Sequence, residues 1–147
     1  MALITYISWT YIHEGAHLLA LKRFKEVTSW SIKPYPHKHP KLGFVYGSVS
    51  YLYEGNLTLK QDALVSIAPR VPNLIGCVLF CVDTGSMYWD IFFAGAVVDL
   101  IRGSLPLRET SDICRYSKGF KIPVFDLAIT QMFFAALILY IKMLTLI

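Results

Sequence analysis

Charge is scarce in this chain. Asp, Glu, Lys and Arg make up only 16% of the 147 residues, against about 25% in an ordinary soluble domain. Hydrophobic residues reach 55%, and the mean hydropathy is +0.50. That balance excludes a disordered chain and argues against a conventional soluble one. Cysteine is scarce too. Cys77, Cys81 and Cys114 are odd in number, so no complete disulfide framework can form. Cys77 and Cys81 sit one helical turn apart in an apolar run and read as small buried hydrophobes, since a zinc pair needs further Cys or His nearby. A basic n-region is missing ahead of the first apolar stretch, which itself carries charges, so no cleavable signal peptide is expected. Internal repeats and low-complexity linkers are also missing, and the length suits a single domain over residues 1–147.

Apolar sequence is what the chain has in quantity. Four segments stand out, running from about Met1 to Leu21, Ala63 to Val82, Met87 to Ile101 and Val124 to Ile147. The fourth matches the ~20 residues needed to cross a ~30 Å hydrocarbon core, and the third is short for a span. Pro69, Arg70, Pro72 and Asn73 interrupt the second near its start. Helix breakers at membrane depth survive only where the backbone is buried in protein or lines a polar cavity, so this segment is a candidate wall of a site.

The placement of charge supplies an independent check. Lys22, Arg23, Lys25, Lys33, Lys38, Lys41 and Lys60 fall in one inter-segment loop, and Arg102, Arg108, Arg115, Lys118 and Lys121 in another. Only Arg70 and Lys142 of the 14 basic residues lie elsewhere. The short connection around Asp83 has none. By the positive-inside rule both basic loops face the cytoplasm, while the termini and the Asp83 connection lie outside. A four-span integral membrane protein is the expectation. Basic residues that flank apolar spans form no recognition helix, so no nucleic-acid partner is expected. Within the first loop, Ser29 to Ile32 and Gly43 to Tyr53 alternate and are rich in β-branched and aromatic residues, with a Pro/His/Lys-rich stretch between them. They predict a small antiparallel hairpin or sheet at the cytoplasmic face.

Chemistry enters with His13-Glu14-Gly15-Ala16-His17. On a helix, positions i and i+4 share one face, so both imidazoles can reach one zinc ion while Glu14 holds and deprotonates the attacking water. Ionisable groups are costly in an apolar span and mark a functional site there. His17 precedes Lys22 by five residues, about 8 Å at the helical rise, so the site opens towards the cytoplasm. A third protein ligand is needed. Asp99, Asp112, His37 and His39 are the candidates; the two histidines sit in a Pro/Lys-rich stretch that reads as a solvated loop, and Asp83 and Asp90 fall near the far membrane face. Local sequence does not decide between Asp99 and Asp112. Among the other polar residues in apolar segments, Arg70 reads as a snorkelling cation or a partner of a carboxylate such as Asp62. Lys142 reads as snorkelling to the outer interface, and Gln131 as an interhelical hydrogen-bonding residue.

The order of these features resembles the site-2 protease family of intramembrane zinc metalloproteases. There a helix with His-Glu-x-x-His is followed by a small β-sheet, a membrane segment with a Gly-Pro-x-x-x-Asn type motif, and an Asn/Pro segment ending in Leu-Asp-Gly. This chain has His13 to His17, the Trp30 to Tyr53 hairpin, Ala68-Pro69-Arg70-Val71-Pro72-Asn73, and Gly103 to Asp112, with Ile113 and Cys114 where that family has glycines. The resemblance implies Asp112, rather than Asp99, as third zinc ligand and Asn73 as a residue binding substrate backbone. Read from the residues alone, Asn73 equally satisfies carbonyls freed by Pro72. The expectation is a mostly α, multi-pass helical bundle with a small cytoplasmic sheet after the first helix. It would act as a zinc metallopeptidase on membrane-embedded or membrane-proximal polypeptides in the lipid bilayer, with Glu14 as general base. The alternative is a non-catalytic membrane protein that keeps the His/Glu cluster as a structural or metal-binding element.

Overall fold

The computed structural model describes residues 1–39, 43–82 and 84–145. Lys41 and Asp83, both used in the charge argument, lie outside them. The chain is mostly helical. Helix α1 (Ala2–Lys22) leads into strands β1 (Val27–Lys33), β2 (His37–His39), β3 (Gly43–Val45) and β4 (Ser48–Tyr53). Helices α2 (Leu59–Ile67), α3 (Arg70–Cys81), α4 (Met87–Ser104), α5 (Asp112–Phe120) and α6 (Val124–Thr145) follow.

Local chemistry sets the element ends. Thr58 and Gln61 form a capping box at the start of α2, with the Thr58 hydroxyl accepting from the Gln61 amide at 3.3 Å and the Gln61 side chain accepting from the Thr58 amide at 2.9 Å. Lys121 closes α5 in the left-handed region at φ 57°, and Pro123 two residues on prevents its continuation. Pro69 and Pro72 split α2 from α3 and yet stay compatible with helix, because Pro72 falls in the first turn of α3, where its missing N–H is no loss.

The expected hairpin forms, with more structure than the alternation predicts. Trp30 pairs with Tyr51 and Lys33 with Ser48 in the antiparallel β1–β4 ladder. A second antiparallel ladder pairs His37 with Val45 and Lys38 with Phe44. The His/Pro/Lys stretch is therefore partly strand rather than a solvated loop. His37 is held there by donating from Nδ1 to the Tyr35 carbonyl at 2.8 Å and accepting from Ser48 at 3.0 Å.

The core lies where α1, α3, α4 and α6 meet, around Trp9, Phe80, Val97, Leu100 and Ile138. Trp9 is clamped between two glycines. A Cβ on Gly76 or on Gly95 would come within 2.3 Å of its indole, and its Nε1 donates to the Phe92 carbonyl at 2.6 Å. Two cations in apolar segments find partners other than those expected. Lys142 does not snorkel outward: it is 5% exposed and pairs with Asp90 at 2.7 Å between α6 and α4. Asp62 pairs with Arg115 of α5 rather than with Arg70, whose guanidinium donates to the Gly103 carbonyl. Gln131 makes the expected interhelical bond, accepting from Ser104 at 2.8 Å.

Among the described residues, two helical stretches are long and apolar enough to cross a membrane, Leu59–Cys81 (α2 and α3 together) and Val124–Thr145. Helices α1 and α4 fall short of that measure. The same residues that make them interesting dilute their apolarity, namely Thr5, Thr10, His13, Glu14 and His17 in α1 and Asp90, Asp99 and Arg102 in α4.

Candidate metal centre

Along α1 the buried positions Thr5, Trp9, His13, His17 and Leu21 recur every four residues, so the stripe that packs the core also carries both histidines inward. His13 and His17 are 5% and 6% exposed. Asp112, at the first turn of α5, meets them from the other side. Its Oδ2 lies 3.2 Å from His13 Nε2 and 3.2 Å from His17 Nε2, and one ligand atom from each of the three residues falls within 4.8 Å of the others.

The far ring nitrogens are each occupied. His17 Nδ1 donates to the Val65 carbonyl at 2.8 Å. That carbonyl would accept from residue 69 in an unbroken helix, and residue 69 is a proline. The break in the second apolar segment thus frees the acceptor that orients a histidine. His13 Nδ1 is 2.6 Å from Asp99 Oδ2, and Asp99 in turn accepts from Asn73 Nδ2 at 2.9 Å and from Arg102.

These outer contacts test whether a metal fits. A neutral His17 that donates from Nδ1 has a bare lone pair at Nε2. A bare nitrogen and a carboxylate oxygen repel at 3.2 Å unless a proton or a cation lies between them. Ligand atoms about 2.1 Å from a tetrahedral zinc lie about 3.4 Å apart, close to the Nε2 to Oδ2 separations here. Two imidazoles and one carboxylate form a donor set that suits zinc, and the carboxylate and carbonyl behind the rings are the partners metal-bound histidines usually have. Burial works to raise the Asp112 pKa, and contacts with His17 and His13 outweigh it, holding the carboxyl well below the usual carboxylate range.

A cavity of about 360 Å³ opens over the cluster. Glu14 lines it, is 8% exposed, and makes no hydrogen bond or ion pair with any described residue. The Phe44 to Val49 segment, which runs from β3 into β4, approaches to line it as well. Gly47 allows that approach, because a Cβ there would lie 2.3 Å from Thr10 Cγ2 and 3.5 Å from Glu14 Oε1.

Helix α5 is fixed against α2, so Asp112 is carried in by packing. Arg115 Nε donates to Asp62 Oδ2 at 3.0 Å, and Gly119 lies against Ala63 and the Leu59 backbone, where a Cβ would clash at 2.3 Å. Burial works against the charge on Arg115 and Asp62 outweighs it, raising its pKa further.

Of the residues singled out from sequence, His13, Glu14, His17 and Asp112 come together at one cavity. Asp99, the alternative ligand, stands behind His13 on its Nδ1 side. Asn73 is fully buried and directs its amide to Asp99; it does not line the cavity. His37 lies outside the cluster, on β2. Sequence reasoning passed over Arg102, whose only signal is its i, i+3 spacing from Asp99, and the Asp62–Arg115 pair, whose members are 53 residues apart. Comparison of the chain with known protein families, with curated proteins and with solved structures finds no match.

Proposed function

We propose that this chain is a multi-pass integral membrane zinc metallopeptidase, similar to site-2 proteases, that hydrolyses peptide bonds in or near the bilayer. The observation that carries the reading is the convergence of His13 Nε2, His17 Nε2 and Asp112 Oδ2 beneath a cavity whose wall also holds an unpaired Glu14. Zinc bound there supplies Lewis acidity, lowering the pKa of water towards ~7 and polarising the scissile carbonyl. Glu14 accepts a proton from water as the water oxygen bonds to the carbonyl carbon. It returns that proton to the amide nitrogen as the C–N bond breaks, leaving a carboxylic acid and an amine. Asp99 and the Val65 carbonyl hold the two rings in the required tautomer. The Phe44 to Val49 segment offers backbone beside the cavity, along which an extended peptide would present its carbonyls.

The membrane setting is supported by the outward faces of the helices. Phe125, Ile129 and Phe133 of α6 are 69%, 67% and 70% exposed, a continuous apolar surface that water disfavours and lipid accepts. The basic loops and the cavity then face the cytoplasm, with the bundle closed on the other side around Lys142 and Asp90.

Glu14→Gln is the deciding variant. In detergent-purified, zinc-replete protein it should keep one zinc per chain and lose peptide cleavage by at least about a hundredfold. Unchanged cleavage would mean that Glu14 is not the base. A folded wild-type protein without zinc would reduce the cluster to a structural one.

A further inference from the structure

We infer that Arg102 is a specificity residue that binds a carboxylate of the peptide substrate, carried by an acidic side chain or the C-terminus within about three residues of the scissile bond. The inference rests on the peptidase reading above. Arg102 lies in the last turn of α4 with its side chain 29% exposed. One Nη donates to Asp99, and Cζ lies 5.9 Å from the centroid of the Tyr46 ring. Its Nε and second Nη have no partner among the described residues. A guanidinium with one arm fixed and two donors unused is a pre-ordered carboxylate receptor.

Its location gives those donors something to meet. Arg102 lines the metal cavity and also a mostly apolar cavity of about 390 Å³ between α1 and α4. Tyr46 is the one other residue common to both walls, so a chain passing from the metal cavity towards α1 and α4 runs past this guanidinium. The electrostatics agree. Glu14 and Asp112 are the acids in the metal cavity wall, and both have work at the metal; Arg102, Arg108 and Arg115 line the same wall, with Arg102 paired to Asp99 and Arg115 to Asp62.

Distance sets how far along the peptide that carboxylate lies. The route from zinc through His13 and Asp99 to Arg102 crosses one metal bond, one ring, one 2.6 Å contact, one carboxylate and one hydrogen bond. That places the guanidinium no more than roughly 12 Å from the metal. At about 3.4 Å per extended residue this is three residues or fewer.

The test uses the full chain in detergent, zinc-loaded, and matched peptides that carry Glu or Gln at each of the three positions on either side of the cleaved bond. Each is made with a free or amidated C-terminus. The wild type should prefer one Glu peptide, or the free terminus, about tenfold in kcat/KM, with the difference in KM. Arg102→Gln should bring that ratio to about one, and Arg102→Lys should keep part of it. A ratio isolates recognition, since damage relayed through Asp99 slows all peptides alike. A wild-type ratio of one, or a ratio unmoved by Arg102→Gln, overturns the inference while cleavage leaves the peptidase reading standing. The same peptides are titrated into zinc-loaded Glu14→Gln protein by fluorescence anisotropy. A carboxylate preference in binding without wild-type cleavage sinks the hydrolytic reading alone, and neither binding nor cleavage sinks both.

Discussion

Replacing Asp99 and Asp112 separately distinguishes a carboxylate that orients a ligand from one that is a ligand. Asp99 receives three donors, from His13 at 2.6 Å, Asn73 at 2.9 Å and Arg102. Asn at this position has one acceptor oxygen. Set towards His13 and Asn73, it turns its NH₂ on the Arg102 guanidinium, so Asp99→Asn keeps the shape and loses the charge. Loss of such an outer partner lowers zinc affinity about 10- to 100-fold, or roughly 1.4 to 2.8 kcal/mol. Asp99→Ala leaves the buried amide of Asn73 and the His13 N–H without acceptors, adding about 1–3 kcal/mol of destabilisation for each. Asp112→Ala removes a ligand atom and should abolish stoichiometric zinc. Competition against a chromophoric chelator at constant pH, with thermal melts of the same samples, reads both quantities. Stoichiometric zinc in Asp112→Ala together with its complete loss in a folded Asp99→Asn would refute the assignment.

The part of this site that could be read from sequence is the part with a fixed local period. His13, Glu14 and His17 are ordered by one turn of helix, and the hairpin by alternation, so both were legible. Asp112 was reachable only through the order of motifs, because nothing local to Gly103–Asp112 says how α5 docks; the docking depends on Gly119 against Ala63 and Arg115 against Asp62, contacts between distant segments. The role of Asp99 was hidden for a related reason. A carboxylate behind a ring and one in front of it have the same depth in the helix, and only the rotation of α4 about its axis separates them. At His37 and His39 prolines and lysines mask a three-residue strand whose pairing is set by its partner, not by its own propensity. Two of the four expected spans are apolar enough to cross a membrane by composition, and the other two are where chemistry and hydropathy conflict. Helices α1 and α4 carry the site, and their polar residues remove them from a test based on apolarity.

Three further outcomes follow from the same contacts. Gly95→Ala should lower thermal stability by about 1–3 kcal/mol, because its methyl group would meet the Trp9 indole at 2.3 Å; a melt unchanged in detergent would show that α1 can move aside freely. Zinc affinity should fall as pH drops from 7 to 5, because ligation requires neutral imidazoles. Asp112 stays ionised through that window, its carboxyl being held below the usual range, so protons compete only at the imidazoles; affinity that is flat from pH 7 to 5 would exclude histidine ligation. The last concerns Pro69. The Val65 carbonyl accepts from His17 Nδ1 at 2.8 Å because the residue four positions on has no N–H to offer. Pro69→Ala restores that donor at the C-terminal end of α2, while Pro72 still keeps α2 and α3 from fusing into one regular helix. The Val65 oxygen then has two claimants, and the helical one is local. Helix content should hold or rise and the protein should melt no earlier, while zinc affinity falls about tenfold as His17 loses its orienting bond. Circular dichroism and the chelator competition measure the two effects on one sample. If Pro69→Ala binds zinc as tightly as the wild type, the proline is only a bend, and the break in the second apolar segment has no part in building the metal centre.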